Sequence, residues 1–469
     1  MKKIICAMLV VLFVFTLCAC AAAEEPEMIP GFEPERDGNP DMDGYEFIFY
    51  AMTDYETYLY PEVGYSEVGD RILARYKNVG KELNVKMNVS AYEGDIITKL
   101  VTSANGGIKY ADLVDIGAKT IYDNRDYFIN LSDLDGFDIT LPKWGAEHYL
   151  NTAKFNGSNY GFTAGYWGVP YPIYIGNLYF IKPHLTLYGV DNPQEFYENG
   201  MWTWDKFREL CRQATTTDPA NKDNNTYGFV ISDEMKFPRA WIISNGGAPI
   251  RINEEGQYYY ALEEKNATEA LQYIKDMLDE GIGYYTSNDA WEKSAEMFMN
   301  RKSLFFEAYN KSSFVNADKH LANPDQFPEG HSWVPYPCGP MGTYGQSTAQ
   351  FWFTSRFLAL PENFDEYSRE ADVIIINAIF EPLDGDTEDS WKERIERNFF
   401  FDDLSFKYYI ELYEGGEPDY STQAYEAVWN LMPTAYKNII SGRMTTAEAV
   451  EFIADKAQAD IDKNLNMIN

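Results

Sequence analysis

Cysteine and histidine are scarce in this 469-residue chain, which has five of the first and four of the second. Cys6, Cys18 and Cys20 fall near the N-terminus, and Cys211 and Cys338 alone are too few for a disulfide framework. Cys211 follows Phe207 and Leu210 at helical spacing and reads as a small buried apolar residue. Cys338 sits in a loop between Pro337 and Gly339, and a bridge between the two stays open. His148, His184, His320 and His331 are scattered without any paired ligand spacing, which argues against zinc. Asp218 to Asp223 lacks the central glycine and closing glutamate of a calcium loop and reads as a surface turn. Basic residues number 39 against 73 acidic ones, a net charge of −34 whose field repels nucleic-acid phosphates and anionic lipid headgroups. Phosphate-cradling glycine loops, the Gly-x-Ser-x-Gly elbow and internal repeats are all missing, so neither a nucleotide cofactor nor a solenoid is expected. The abundance of acids leaves one enzymatic class open. A glycoside hydrolase needs two carboxylates near each other only in space, and no pair can be nominated from sequence.

What the chain does have begins with Lys2 and Lys3, an apolar run from Ile4 to Ala19, and then small residues, the layout of a secretory signal. At ~1.5 Å per helical residue the run is shorter than a ~30 Å hydrocarbon core, so it reads as an export signal and not a span. Its Leu17-Cys18-Ala19-Cys20 ending resembles the bacterial lipoprotein signal, which implies removal of residues 1–19 and a lipid anchor on Cys20. Ordinary cleavage near Ala21 to Ala23, with release of the protein, is the alternative. Residues 20–44 alternate Pro26, Pro30, Pro34 and Pro40 with acids and cannot bury a core. They read as a tether reaching up to ~80 Å at ~3.3 Å per residue.

From Tyr45 the pattern becomes that of a folded body with a heavy aromatic load: 36 Tyr, 29 Phe and 10 Trp. Tyr45 to Met52 suits a buried strand, and Val68, Ile72, Tyr76, Val79 and Leu83 recur at helical spacing. Val85, Met87 and Val89 alternate, Ile96, Ile97, Leu100 and Val101 form a second helical face, and Leu113, Val114 and Ile116 read as a third strand. Strand-helix-strand-helix-strand predicts a parallel sheet covered by helices, hence an α/β fold. Further helical stripes run from Ala267 to Leu278, stopped by Gly281, and from Val450 to Ile461. Gly157 to Pro172 and Trp333 to Gly345 are too irregular for continuous elements.

Four stretches carry a resemblance. Trp202-Thr203-Trp204-Asp205-Lys206-Phe207 is followed by Tyr227-Gly228-Phe229; Trp241 to Gly247 leads through a polar hairpin to the helix from Ala267. Ala295 to Tyr309 feeds a basic turn, Arg301-Lys302, into a strand, and Trp429 lies twelve residues before Ser441-Gly442-Arg443. In this order they resemble the extracellular solute-binding proteins of bacterial ABC importers, in the sugar-binding branch that includes maltose-binding protein. Where that family often has Tyr-Asn-Lys after a strand, this chain has Phe180-Ile181-Lys182, so any role of that asparagine is lost.

The resemblance implies two interleaved α/β lobes of the periplasmic-binding-protein type, closing by a hinge on a ligand between them. It places 45–160 and 285–345 in lobe 1, and 165–284 and 350–469 in lobe 2, with hinges at Gly157 to Pro172 and Met341 to Gln350. It implies capture of a carbohydrate, an oligosaccharide by preference, by a monomer that delivers it to the transmembrane subunits of an ABC permease without catalysis or cofactor. Peptides or another polar solute are the alternative cargo. Sugars present apolar C–H faces bounded by hydroxyls, so a site needs flat aromatics and polar forks. The aromatic candidates are Trp167, Tyr174, Trp241, Tyr309, Trp352 and Trp429. The polar candidates are Asp54, Asp115, Arg239 and Glu307.

Overall fold

The computed structural model describes residues 34–35, 39–51, 59–64, 66–92, 94–155, 157–168, 174–232, 238–286, 291–309, 330–346, 350–351, 356–362, 366–415, 420 and 422–467. The leader, Cys20 and most of the tether lie outside the described residues, as do Asp54 and Trp352.

Two sheets organise the chain. Their strands are β1 (Glu46–Ala51), β2 (Lys86–Ala91), β3 (Leu113–Gly117), β4 (Tyr174–Phe180), β5 (Tyr227–Ser232), β6 (Gly283–Thr286), β7 (Ser303–Tyr309), β8 (Ser332–Pro335), β9 (Gln350–Phe351) and β10 (Arg356–Ala359). The main helices are α1 (Glu67–Glu82), α2 (Ile96–Asn105), α3 (Ala118–Asp123), α4 (Trp204–Ala214), α5 (Pro238–Ser244), α6 (Lys265–Asp279), α7 (Trp291–Met299), α8 (Glu366–Ile379), α9 (Asp403–Glu414), α10 (Met432–Ile440) and α11 (Thr446–Asn464). Among the described residues, no helix is long and apolar enough to cross a membrane.

The smaller sheet has the order β10-β3-β1-β2, with β1 parallel to β2 and β3 and with β10 antiparallel at the edge. Its first half is the predicted βαβαβ unit. Ser66 caps α1 by accepting from Gly69 N, Asp95 caps α2, and the periodic apolar faces put Ile72, Tyr76, Val79 and Leu100 in the core. The larger sheet runs β6-β5-β7-β4-β8, with β9 also on β4. One face of it packs under α4, α5, α6, α10 and α11, and the other shares the first lobe's core through Tyr179, Phe306 and Trp333. The result is a two-lobed α/β fold with interleaved lobes.

The division of the chain differs from the expected one. Residues 285–345 carry β7, which pairs parallel with β5 and antiparallel with β4, so this segment completes the larger sheet and does not join 45–160. Residues 356–412 do the reverse: β10 pairs with β3, and Ala371, Ile375, Ile376, Trp391 and Leu412 fill the first lobe's core. Crossings therefore fall after Gly168, between Phe351 and Arg356 instead of at Met341 to Gln350, and again after α9. Residues 41–44, assigned to the tether, are docked: Met42 is 1 % exposed and its amide donates to Leu83 O at 2.8 Å. Next to them the Tyr45 hydroxyl reaches two fully buried carboxylates, Asp112 at 2.9 Å and Asp372 at 3.0 Å, tying β1 to α8.

Cys211 and Cys338 are free, and Cys211 is buried as its spacing predicts. It sits directly over Gly228, where any Cβ would collide with the Cys211 backbone and side chain. This explains the glycine in Tyr227-Gly228-Phe229: helix α4 and strand β5 touch there without room for a side chain.

Candidate functional site

Ligands of open α/β sheets gather outside the carboxyl ends of the strands. In the larger sheet β5, β6 and β7 run parallel, so their carboxyl ends share one side. Helix α5, which follows β5, carries Arg239 and Trp241, and Glu307 lies near the end of β7. All three are buried, at 2 %, 0 % and 2 % exposure. Trp241 donates from Nε1 to Glu307 Oε1, and the Tyr336 hydroxyl lies beside the same carboxyl. Burial pushes the Glu307 carboxyl up to about 8, while the Trp241 hydrogen bond and the nearby Tyr336 hydroxyl pull the other way. Among the described residues Glu307 has no ion-pair partner, so it is largely neutral at pH 7 and can donate as well as accept a hydrogen bond.

The Arg239 guanidinium lies 4.5 Å from the centre of the Trp429 ring. Trp429 is half-buried in a π-helical turn, Glu426–Leu431, that leads into α10. A stacked pair of this kind attracts by about 2 kcal/mol when desolvated, which fixes the fork of donors and the indole plane together. Such a unit offers hydrogen-bond donors for hydroxyl oxygens next to a flat face for C–H groups. The structure thus pairs Arg239 with Trp429 and Trp241 with Glu307, two pairs distant in sequence that share the short helix α5.

Other candidates do different work. Trp241 itself has no exposed surface; its ring packs against Phe207, Tyr273 and Tyr336, so it orients Glu307 and is not a stacking surface. Trp167 is 2 % exposed, packs on Tyr76 and Phe380 and donates to Glu381 O at 2.9 Å, which makes it part of the first core. Asp115 is fully buried and receives Arg356 Nε at 2.7 Å, so its charge is consumed in joining β3 to β10. Burial opposes the Arg356 charge, yet Asp115 and Tyr92 together hold that guanidinium above its ordinary value. Tyr174 and Tyr309 lie on β4 and β7, with side chains outside the described residues, as Asp54 and Trp352 are entirely.

Sequence reasoning missed Tyr336, which sits in the irregular stretch after β8, where no periodicity marks which way a side chain faces. It also missed the contacts between lobes. Lys119 lies 4.7 Å over the Tyr425 ring, the Tyr122 hydroxyl donates to Asn464 Oδ1 at 3.1 Å, and Gln423 Nε2 donates to Lys154 O at 3.2 Å. Among the described residues no cluster of three or more His, Cys, Asp or Glu could hold a metal ion.

A family profile described as bacterial extracellular solute-binding protein matches residues 74–371. No curated protein sequence matches the chain. Among solved structures, it is similar to the GacH receptor of Streptomyces glaucescens GLA.O, solved unliganded and with acarbose, at 15% identity and TM-score 0.58 over 89% of this chain and 99% of that one. It is similar to the cyclic alpha-maltosyl-1,6-maltose binding protein of Arthrobacter globiformis at 13% identity and TM-score 0.63, over 90% and 100% of the two chains. It is also similar to an ABC transporter solute-binding protein of Thermotoga lettingae TMO bound with alpha-D-tagatose, at 13% identity and TM-score 0.55, over 89% and 100%. At these identities the likeness is one of fold.

Proposed function

The chain belongs to the bacterial extracellular solute-binding proteins, and from that premise we propose that it captures a carbohydrate, an oligosaccharide by preference, and delivers it to an ABC permease. The observation that carries this reading is the Arg239–Trp429 stack, which joins guanidinium donors to a flat apolar face on the helix that follows β5, the same helix whose Trp241 holds the buried Glu307 of β7. The structurally similar proteins named above bind acarbose, a cyclic maltosyl-maltose and tagatose, and all three share the two-lobed fold. In this reading Trp429 stacks on a sugar ring, Arg239 and Glu307 meet its hydroxyls, and Trp241 and Tyr336 hold Glu307 in place. Asp54, Tyr174, Tyr309 and Trp352 complete the wall, on the strength of their sequence positions at strand ends and crossings. Cys20 carries the lipid that keeps the monomer at the membrane, as the Leu-x-Ala-Cys ending supports. No bond is made or broken in the cargo, in keeping with a family of binding proteins.

A thermal-shift screen against a glycan panel tests this. A ligand at ~100 times its dissociation constant stabilises the fold by ~2.7 kcal/mol, a displacement of several degrees in melting temperature. At least one oligosaccharide is expected to raise the melting temperature. If every sugar leaves it unmoved while peptides raise it, the cargo class is wrong.

A further inference from the structure

A cavity of about 310 Å³ lies between the lobes and shares no residue with Arg239, Trp241, Glu307 or Trp429. The first lobe lines it with Tyr122, Arg125 and Lys154, and the second with Tyr258, Tyr420 and Gln423. Its volume is at the lower end of the ~300–1,000 Å³ usual for ligand pockets, the scale of one sugar ring. We propose that this cavity is a second ligand site, for an acidic monosaccharide of the hexuronate class.

Three features specify that chemistry. Gln423 is 7 % exposed, and its amide nitrogen is used on Lys154 O, but among the described residues its buried Oε1 has no hydrogen-bond partner. A buried acceptor left unmade costs about 1–3 kcal/mol, so the site calls for a ligand that donates, as a hydroxyl does and a bare carboxylate does not. Arg125 and Lys154, in a chain with nearly twice as many acids as bases, have no ion-pair partner among the described residues. Arg125 donates to Tyr122 O at 3.1 Å and leans on that ring, contacts that supply no opposite charge. Two carboxylates act on the same Tyr122: Asp123, which is paired with Lys119 at 2.6 Å, and Asp460, which accepts from Ala427 N at 2.9 Å and Asn464 Nδ2 at 2.7 Å and sets one negative charge against the two cations. Two cations without an ion-pair partner among the described residues, against the one charge of Asp460, call for an anionic group on the ligand. Tyr258 and Tyr420, edge to face at 5.1 Å, supply the apolar wall that a pyranose needs.

Isothermal titration of the full-length protein with D-glucuronate, D-glucose and acetate separates these requirements. Glucuronate is expected to bind saturably, with glucose and acetate each weaker by about tenfold or more, because each lacks one of the two recognised groups. Gln423→Leu and Lys154→Ala should each weaken glucuronate by about fivefold or more, and Lys154 is exposed, so that variant tests the site without disturbing the fold. Trp429→Ala should leave glucuronate affinity within about twofold, while reducing oligosaccharide affinity if the cleft reading above is right. The proposal is overturned if glucuronate fails to saturate by about 10 mM, if glucose or acetate binds as tightly, or if Trp429→Ala abolishes its binding while the cavity variants do not. Failure of the cleft reading shows separately, as oligosaccharides that bind nowhere.

Discussion

At the scale of single residues, Glu307 makes the protein's stability depend on pH in an unusual direction. Its carboxyl titrates at 4.5 in an unperturbed setting and at about 8 when folded, so the folded chain holds a proton that the unfolded chain releases. By linkage, the contribution is present in full below about pH 4.5 and is lost as the pH rises towards 8. Glu307→Gln keeps an acceptor for Trp241 and removes the titration. In denaturant titrations at a series of pH values, the wild type is expected to lose a few kcal/mol across that window relative to the variant. Parallel stability curves for the two would show that Glu307 is charged in the fold. The residue was legible as a polar group ending a strand, but its protonation was not. That follows from Trp241 and Tyr336 enclosing it from distant parts of the chain.

At the scale of elements, the tightest constraint is where α4 crosses β5. Gly228→Ala puts a methyl group into Cys211, and because the collision involves backbone it cannot be relieved by a rotamer change. A loss of about 3 kcal/mol or more is expected, read as a lowered denaturation midpoint, and a neutral result would mean that the helix stands further from the strand. Such local elements were readable in advance: the apolar faces of α1 and α2 repeat at helical spacing, and β1 to β3 follow in order, while the capping by Ser66 and Asp95 emerged only in the fold. The partnership of distant elements was not. β7 and β10 are both short apolar runs, and nothing in such a run says which sheet receives it. That is why 285–345 and 356–412 were expected in the wrong lobes. The inter-lobe cavity escaped notice for the same reason, since Tyr122, Tyr258 and Gln423 belong to no common motif.

At the scale of the whole molecule, two lobes joined by three crossings, with a ligand held between them, should move towards each other on binding. Small-angle scattering is expected to show a smaller radius of gyration when a sugar identified in the thermal screen is added, and an unchanged radius would exclude hinge closure. The same interleaving governs how the chain is made. Arg356 meets Asp115 across 241 positions of sequence, and α11, the last helix, completes the second core. Contacts of such long range form slowly. A polypeptide emerging N-terminus first, from ribosome or translocase, therefore cannot finish either body until nearly all of it is out. Its order of segments leaves both cores open until late in synthesis.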